Sequence, residues 1–131
     1  MAKEGAEVTV TRAKAGTAPR RPQEYSIAEV TEHLVETLGP KVTAFLVGKD
    51  PQTIMRWAKG TQRPPQSDVE RKLRAAFDVA LLLGATDTRH VVRAWFIGMN
   101  PQLEDVSPAE AIESGRLRET MAAARAFVAG G

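Results

Sequence analysis

From residue 26 to residue 128 the apolar side chains return every three or four positions, in seven blocks separated by glycine, proline or short polar stretches. That period is the mark of amphipathic helices, and no stretch shows the strict alternation with hairpin chemistry that strands would need. The first block carries Ile27, Val30, Leu34 and Leu38 behind the capping box Ser26-Ile27-Ala28-Glu29 and is stopped by Gly39-Pro40. The predicted helix is 27–38. A shorter piece, 41–47, should turn Val42, Phe45 and Leu46 inward and end at Gly48, and Asp50 with Pro51 should open a helix that runs to Lys59 and closes at Gly60.

Beyond Pro64-Pro65, which cannot continue a helix, Ser67-Asp68-Val69-Glu70 reads as a second capping box. It heads the longest apolar stripe, Val69, Leu73, Ala76, Phe77, Ala80 and Leu81, ended at Gly84. Thr86 or Asp87 should cap the next helix, which holds Val91, Val92, Trp95 and Phe96 and stops at Gly98. A polar connector leads to a third box, Ser107-Pro108-Ala109-Glu110, for a short helix to about Ser114. The last helix, 116–128, places Leu117, Met121, Ala124, Phe127 and Val128 roughly on one side. The expected class is all-α, a helix-turn-helix bundle with a C-terminal helical module. Residues 1–25 have no such period and read as a basic, disordered tail, with Arg20 and Arg21 able to touch a nucleic-acid backbone. Residues 26–84 then form one domain and 85–131 a second module.

Charge changes this picture because it is segregated. The chain of 131 residues has a net charge of +2, but residues 41–74 hold eight basic and three acidic side chains, and residues 75–131 five basic and seven acidic. A cationic middle attracts phosphates, and an acidic C-terminal part repels DNA and suits a protein-facing role. The chain has no cysteine and two histidines, His33 and His90, 57 positions apart, with no glycine-rich phosphate loop. A metal site, a cofactor and a catalytic constellation are therefore not expected, and His33, among Glu29, Glu32 and Glu36, reads most simply as a surface histidine. No apolar run reaches the roughly 18 residues of a membrane span, and no secretory signal is visible, so the expected address is the cytoplasm.

The chemistry concentrates in 44–63. A helix of about seven residues, a glycine turn and a capped helix of about nine match a helix-turn-helix, whose second helix fits a major groove roughly 12 Å wide. Ile54, Trp57 and Phe45 should join the two helices. Gln52, Thr53 and Arg56 occupy the outward N-terminal part and are the candidate base readers, Arg56 for a guanine edge and Gln52 for an adenine edge. Lys49, Lys59 and Arg63 flank them as candidate phosphate contacts. A short recognition helix reads few base pairs, so a homodimer on double-stranded DNA is expected.

Residues Ala44 to Gly60, with Thr53-Ile54-Met55-Arg56-Trp57 and the closing glycine, resemble the Xre-like helix-turn-helix of prokaryotic regulators. Residues Val92 to Leu103, including Trp95 and Asn100-Pro101, followed by Ser107-Pro108-Ala109-Glu110-Ala111-Ile112 and Gly115, resemble the toxin-binding module of Xre/MbcA/ParS-type antitoxins. The resemblance covers 26–131, departing in the alanine-rich last helix. It implies an antitoxin that obstructs an NAD-consuming RES-domain toxin with its C-terminal region and represses its own operon. By the same resemblance Trp95, Phe96, Asn100, Pro101, Pro108, Ile112 and Phe127 are candidate partner contacts; on physical grounds alone Trp95, Phe96 and Ile97 need burial either in the core or against a partner. A stand-alone repressor with a dimerisation module, or an adaptor that no longer binds DNA, would carry many of the same features.

Overall fold

The computed structural model describes residues 20–130, so the expectation of a disordered tail lies, for residues 1–19, outside the described part. The described residues form seven helices and two 3-10 turns: α1 Ile27–Leu38, α2 Pro40–Val47, α3 Pro51–Lys59, α4 Asp68–Gly84, α5 Arg89–Ile97, α6 Pro108–Glu113 and α7 Leu117–Val128, with turns at Pro22–Glu24 and Pro101–Leu103. No strand occurs among them, and no described helix is long and apolar enough to cross a membrane. The all-α class is as expected.

Local chemistry accounts for most boundaries. At α1 the Ser26 hydroxyl accepts the Glu29 amide at 3.1 Å while the Glu29 carboxylate accepts the Ser26 amide at 2.9 Å. The same reciprocal pair, Ser107 and Glu110, starts α6. Each box satisfies two amides that a helix start would otherwise leave open. Pro40 does more than stop α1: it is the first residue of α2, and Gly39 alone joins the two helices at a φ of +88°. Residues 20–25 are ordered as well, where a free tail was expected. Arg20 lies over the Tyr25 ring and pairs with Glu29, and Arg21 pairs with Glu24.

Helix-end chemistry also differs from the sequence expectation around α4 and α5. At α4 Ser67 accepts the Val69 amide, but Glu70 turns away to pair with Arg74 at 3.1 Å, so the second box is half formed. Gly84 is the last residue of α4 rather than its stop. Thr88 caps α5, in place of Thr86 or Asp87, by accepting the Val91 amide.

Packing places α1 across α3 and α4, with α2 and α5 on its flanks; α2 also meets α6, and α4 meets α7. One core cluster runs through all seven helices, from Val30, Leu34 and Leu38 through Ile54, Trp57, Leu73 and Phe77 to Phe96, Ile112 and Ala124. The residues expected as a tail, a domain and a module thus share this cluster from Tyr25 onward, beside a second, smaller one of Leu103, Ala111 and Ala123. Phe45 departs from expectation: it is 47% exposed, and α2 buries Ala44 and Val47 beside the expected Leu46. In α7 the buried positions are Thr120, Ala123 and Ala124, while Phe127 and Val128 remain exposed. The alanines leave room for α7 to approach α4 closely, which large side chains would prevent.

Four threonines, Thr31, Thr37, Thr43 and Thr120, are also buried. Thr31, Thr43 and Thr120 donate to the carbonyl four residues earlier at 2.7–2.8 Å, so no partner beyond their own helix and its N-cap is needed. His33 is half-buried, with its ring edge-on to Phe77 at 5.2 Å, rather than a free surface side chain. Burial pushes its pKa down, with Glu36 opposing.

Removal of a fully buried ring should separate the true core from the residue that only looked apolar. Phe96→Ala is expected to lose about 3–5 kcal/mol, whereas Phe45→Ala should stay within about 0.5 kcal/mol, both by urea denaturation. A second expectation concerns acid. Unfolded His33 binds a proton at the ordinary value of 6.5 and the folded residue resists it, so its contribution is complete above that pH and declines as pH falls toward the lowered folded value. His33→Gln should flatten that part of the stability–pH curve; an unchanged slope would remove His33 as its source.

Candidate nucleic-acid interface

Helix α2 ends in a left-handed glycine, Gly48, whose amide bonds back to Ala44 and Phe45, and Lys49 donates to the Ala44 carbonyl at 3.0 Å. That closure reverses the chain within three residues and delivers Asp50 to the start of α3. The Asp50 carboxylate accepts the Thr53 amide at 2.8 Å and the Thr53 hydroxyl at 3.1 Å. These bonds, the backbone one foremost, hold the Asp50 pKa below its ordinary value, with Arg56 adding to the effect. A fixed anion here also suits the positive end of the helix dipole.

Ile54 and Trp57, three residues apart, are fully buried against the body of the protein. The Trp57 ring is core, and its indole N–H has no acceptor among the described residues. Their burial decides what α3 presents outward. Gln52, Arg56 and Lys59 are exposed on the opposite side, with Thr53 and Met55 half-buried beside them. Lys49 and Arg63 are exposed at the two ends; Arg63 comes only to 3.9 Å of Glu70. The structure therefore gathers all six sequence candidates around one helix. Thr53 has its hydroxyl hydrogen committed to Asp50, and it accepts Arg56 Nη2 at 3.2 Å. Arg56 Nε donates to Gln62 Oε1 at 3.0 Å. No acidic side chain hydrogen-bonds to Arg56 among the described residues. Its planar fork is thus anchored by neutral groups through Nε and Nη2, and Nη1 has no partner among the described residues.

The C-terminal candidates divide. Phe96 and Ile112 are fully buried and Pro108 is buried at the first turn of α6, so these three hold the helices together. Asn100 is 8% exposed: its side chain accepts the Gln102 amide at 2.9 Å and its carbonyl the Asp105 amide, which shapes the turn before α6. Arg116 ties that turn to α7, bonding both Glu104 and Glu119, and its pKa is raised by them. Pro101 is exposed, Trp95 half-buried and Phe127 40% exposed, with the Trp95 and Phe127 rings 6.4 Å apart. Val91, one turn before Trp95, extends this apolar strip, and Ile97 and Met99 add 55% and 81% exposed side chains at the end of α5. Sequence periodicity did not single out Met99, which lies in a loop; its position between a helix-stopping glycine and Asn100 was the available sign. Gln62 was also missed, because it follows Gly60 and has no periodic relation to α3.

Among solved structures, the chain is similar to a chain of the crystal structure of the M. tuberculosis MbcT-MbcA toxin-antitoxin complex, with a TM-score of 0.68 and 25% identity. The match covers 81% of this chain and 96% of that one, and the described helices adopt an antitoxin-like fold. No family model and no curated protein matches the chain.

The turn between α2 and α3 offers a clean test of what fixes this arrangement. An added Cβ at Gly48 meets nothing within 4 Å, but φ is +68°. Gly48→Ala should therefore cost about 1–2 kcal/mol through backbone strain alone, and Gly48→Asn less, by thermal or urea unfolding. Equal losses for the two variants would point to a contact rather than the backbone.

Proposed function

We propose that this protein is the antitoxin of a type II toxin-antitoxin system, one that obstructs a RES-type, NAD-consuming toxin and represses its own operon by binding double-stranded DNA as a homodimer in the cytoplasm. The observation that carries the reading is the likeness to a chain of a toxin-antitoxin complex over 81% of this chain, a span that neither residues 26–84 nor residues 85–131 could supply alone. It supports no enzymatic role for the chain itself.

Two surfaces share the work. On α3, Arg56 and Gln52 read base edges, Thr53 supports Arg56, and Lys49, Lys59 and Arg63 meet phosphates. On the C-terminal helices, Trp95, Phe127 and Pro101 touch the toxin. Phe96, Asn100, Pro108 and Ile112 serve the same surface from beneath, by fixing the helices and the turn that carry it. The acidic excess of residues 75–131 keeps that surface off the DNA. A partly exposed aromatic pair, the half-buried Trp95 beside Phe127, is the kind of anchor that dominates protein–protein interfaces.

The test is co-expression of the tagged chain with the reading frame beside its gene, followed by co-purification, growth measurement and binding of the complex to the upstream DNA. The expected result is a stable complex, growth that depends on this protein, and binding whose logarithmic salt slope falls by about one for Lys59→Ala. Phe127→Glu should abolish co-purification and growth rescue while leaving the helical signal intact. A neighbour that neither binds nor harms the cell would sink the antitoxin role and leave the stand-alone repressor as the better account.

A further inference from the structure

Arginine can offer two pairs of parallel donors, one along the side of the guanidinium (Nε with Nη2) and one across its end (Nη1 with Nη2). In Arg56 the side edge is occupied. Nε donates to Gln62 Oε1 at 3.0 Å and Nη2 to Thr53 Oγ1 at 3.2 Å. The polarity of each bond is fixed by chemistry. Nε–H can only donate, so Gln62 must face it with its oxygen. Thr53 gives its one hydroxyl hydrogen to Asp50 Oδ2 at 3.1 Å, so it has only acceptor capacity left for Arg56. Both Nη1 hydrogens and one Nη2 hydrogen have no partner among the described residues, which leaves the end edge open.

Gln62 reaches Arg56 because the chain reverses there. Gly60 takes a φ of +77°, and the Thr61 amide and hydroxyl both donate to the Arg56 carbonyl at 3.1 Å. The residue after this clamp is therefore carried back beside the side chain of the residue it clamps. A surface arginine must otherwise give up much rotamer freedom on binding, and one already held on its side edge gives up less.

We infer that Gln62 is a specificity-determining positioning residue: with Thr53 it holds Arg56 so that the Nη1–Nη2 edge meets the O6 and N7 acceptors of a guanine in the major groove. The inference rests on the reading of α3 as a DNA-binding helix. Gln62 itself touches no base in this account; it acts through Arg56. A merely structural Gln62 would close the turn after α3 and affect stability without affecting which sequence is bound.

The full-length chain would be used to select duplexes from a randomised 20-base-pair pool, and its affinity measured at fixed salt for the selected duplex, for a random duplex, and for the selected duplex with 7-deazaguanine, which lacks N7, at each guanine in turn. Gln62→Ala should weaken the selected duplex about three- to tenfold and the random duplex less than about twofold. The 7-deazaguanine penalty at one guanine should shrink in Gln62→Ala and vanish in Arg56→Ala. The double variant should bind no worse than Arg56→Ala. Equal losses on both duplexes, no loss, or full additivity with Arg56→Ala would overturn the role of Gln62 alone. Enrichment of a sequence with Arg56→Ala silent would overturn the base contact on which it depends, and a pool that yields no enriched sequence would overturn the DNA reading as well.

Discussion

Val30, Leu34 and Leu38 lie on one stripe of α1 and are buried completely, because that stripe is seated between α3 on one side and α4 on the other. Each such side chain contributes about 1.5–3 kcal/mol by leaving water. More important is what their seating orients. Ile54 and Trp57 can reach α1 only if α3 turns one face inward, and the opposite face, with Gln52, Arg56 and Lys59, then has no freedom to point anywhere but outward. The same stripe sets α4, and α4 is the platform for α7. A change of register in α1 would therefore disturb the cationic and the apolar surfaces together.

On that rigid base the polar chemistry is short and sequential. Asp50 stops the amides of α3 from being left open, Thr53 is tied to Asp50, Arg56 to Thr53, and Gln62 to Arg56. Helix capping and side-chain placement are consequently one hydrogen-bonded series rather than two independent features. A threonine at this site looks like an ordinary first-turn residue, yet it is the link between backbone order and the orientation of the guanidinium.

Much of the fold was legible because its boundaries are written in local chemistry. Ser26 with Glu29, Asp50 with Pro51 and Ser107 with Glu110 act within four residues, so a linear reading finds them. The candidate residues of α3 were legible for the same reason, since the burial of Ile54 and Trp57 follows from helical spacing. The misreadings arise where distant segments decide. Phe45 is apolar and periodic, but α6 and α4 cover other positions of α2. Glu70 could have completed a box with Ser67, and Arg74 competes for it one turn along. Phe96 and Ile112 stand in a motif associated with partners, yet both are buried inside the protein. Gln62 lies beyond a helix stop, where no periodicity reports on what the chain folds back to touch.

The apolar interior shared by all seven helices also bears on how this protein would be destroyed. Unfolding of α6 and α7 would bare α2, the helix that precedes the Gly48 turn, and α4, and loss of α1 would bare every helix that touches it. Local opening is therefore hard to confine to one half, and a protease that captures an opened chain meets a single target. The two surfaces have one lifetime: turnover of this chain removes the cationic face of α3 and the apolar strip along α5 and α7 in the same event.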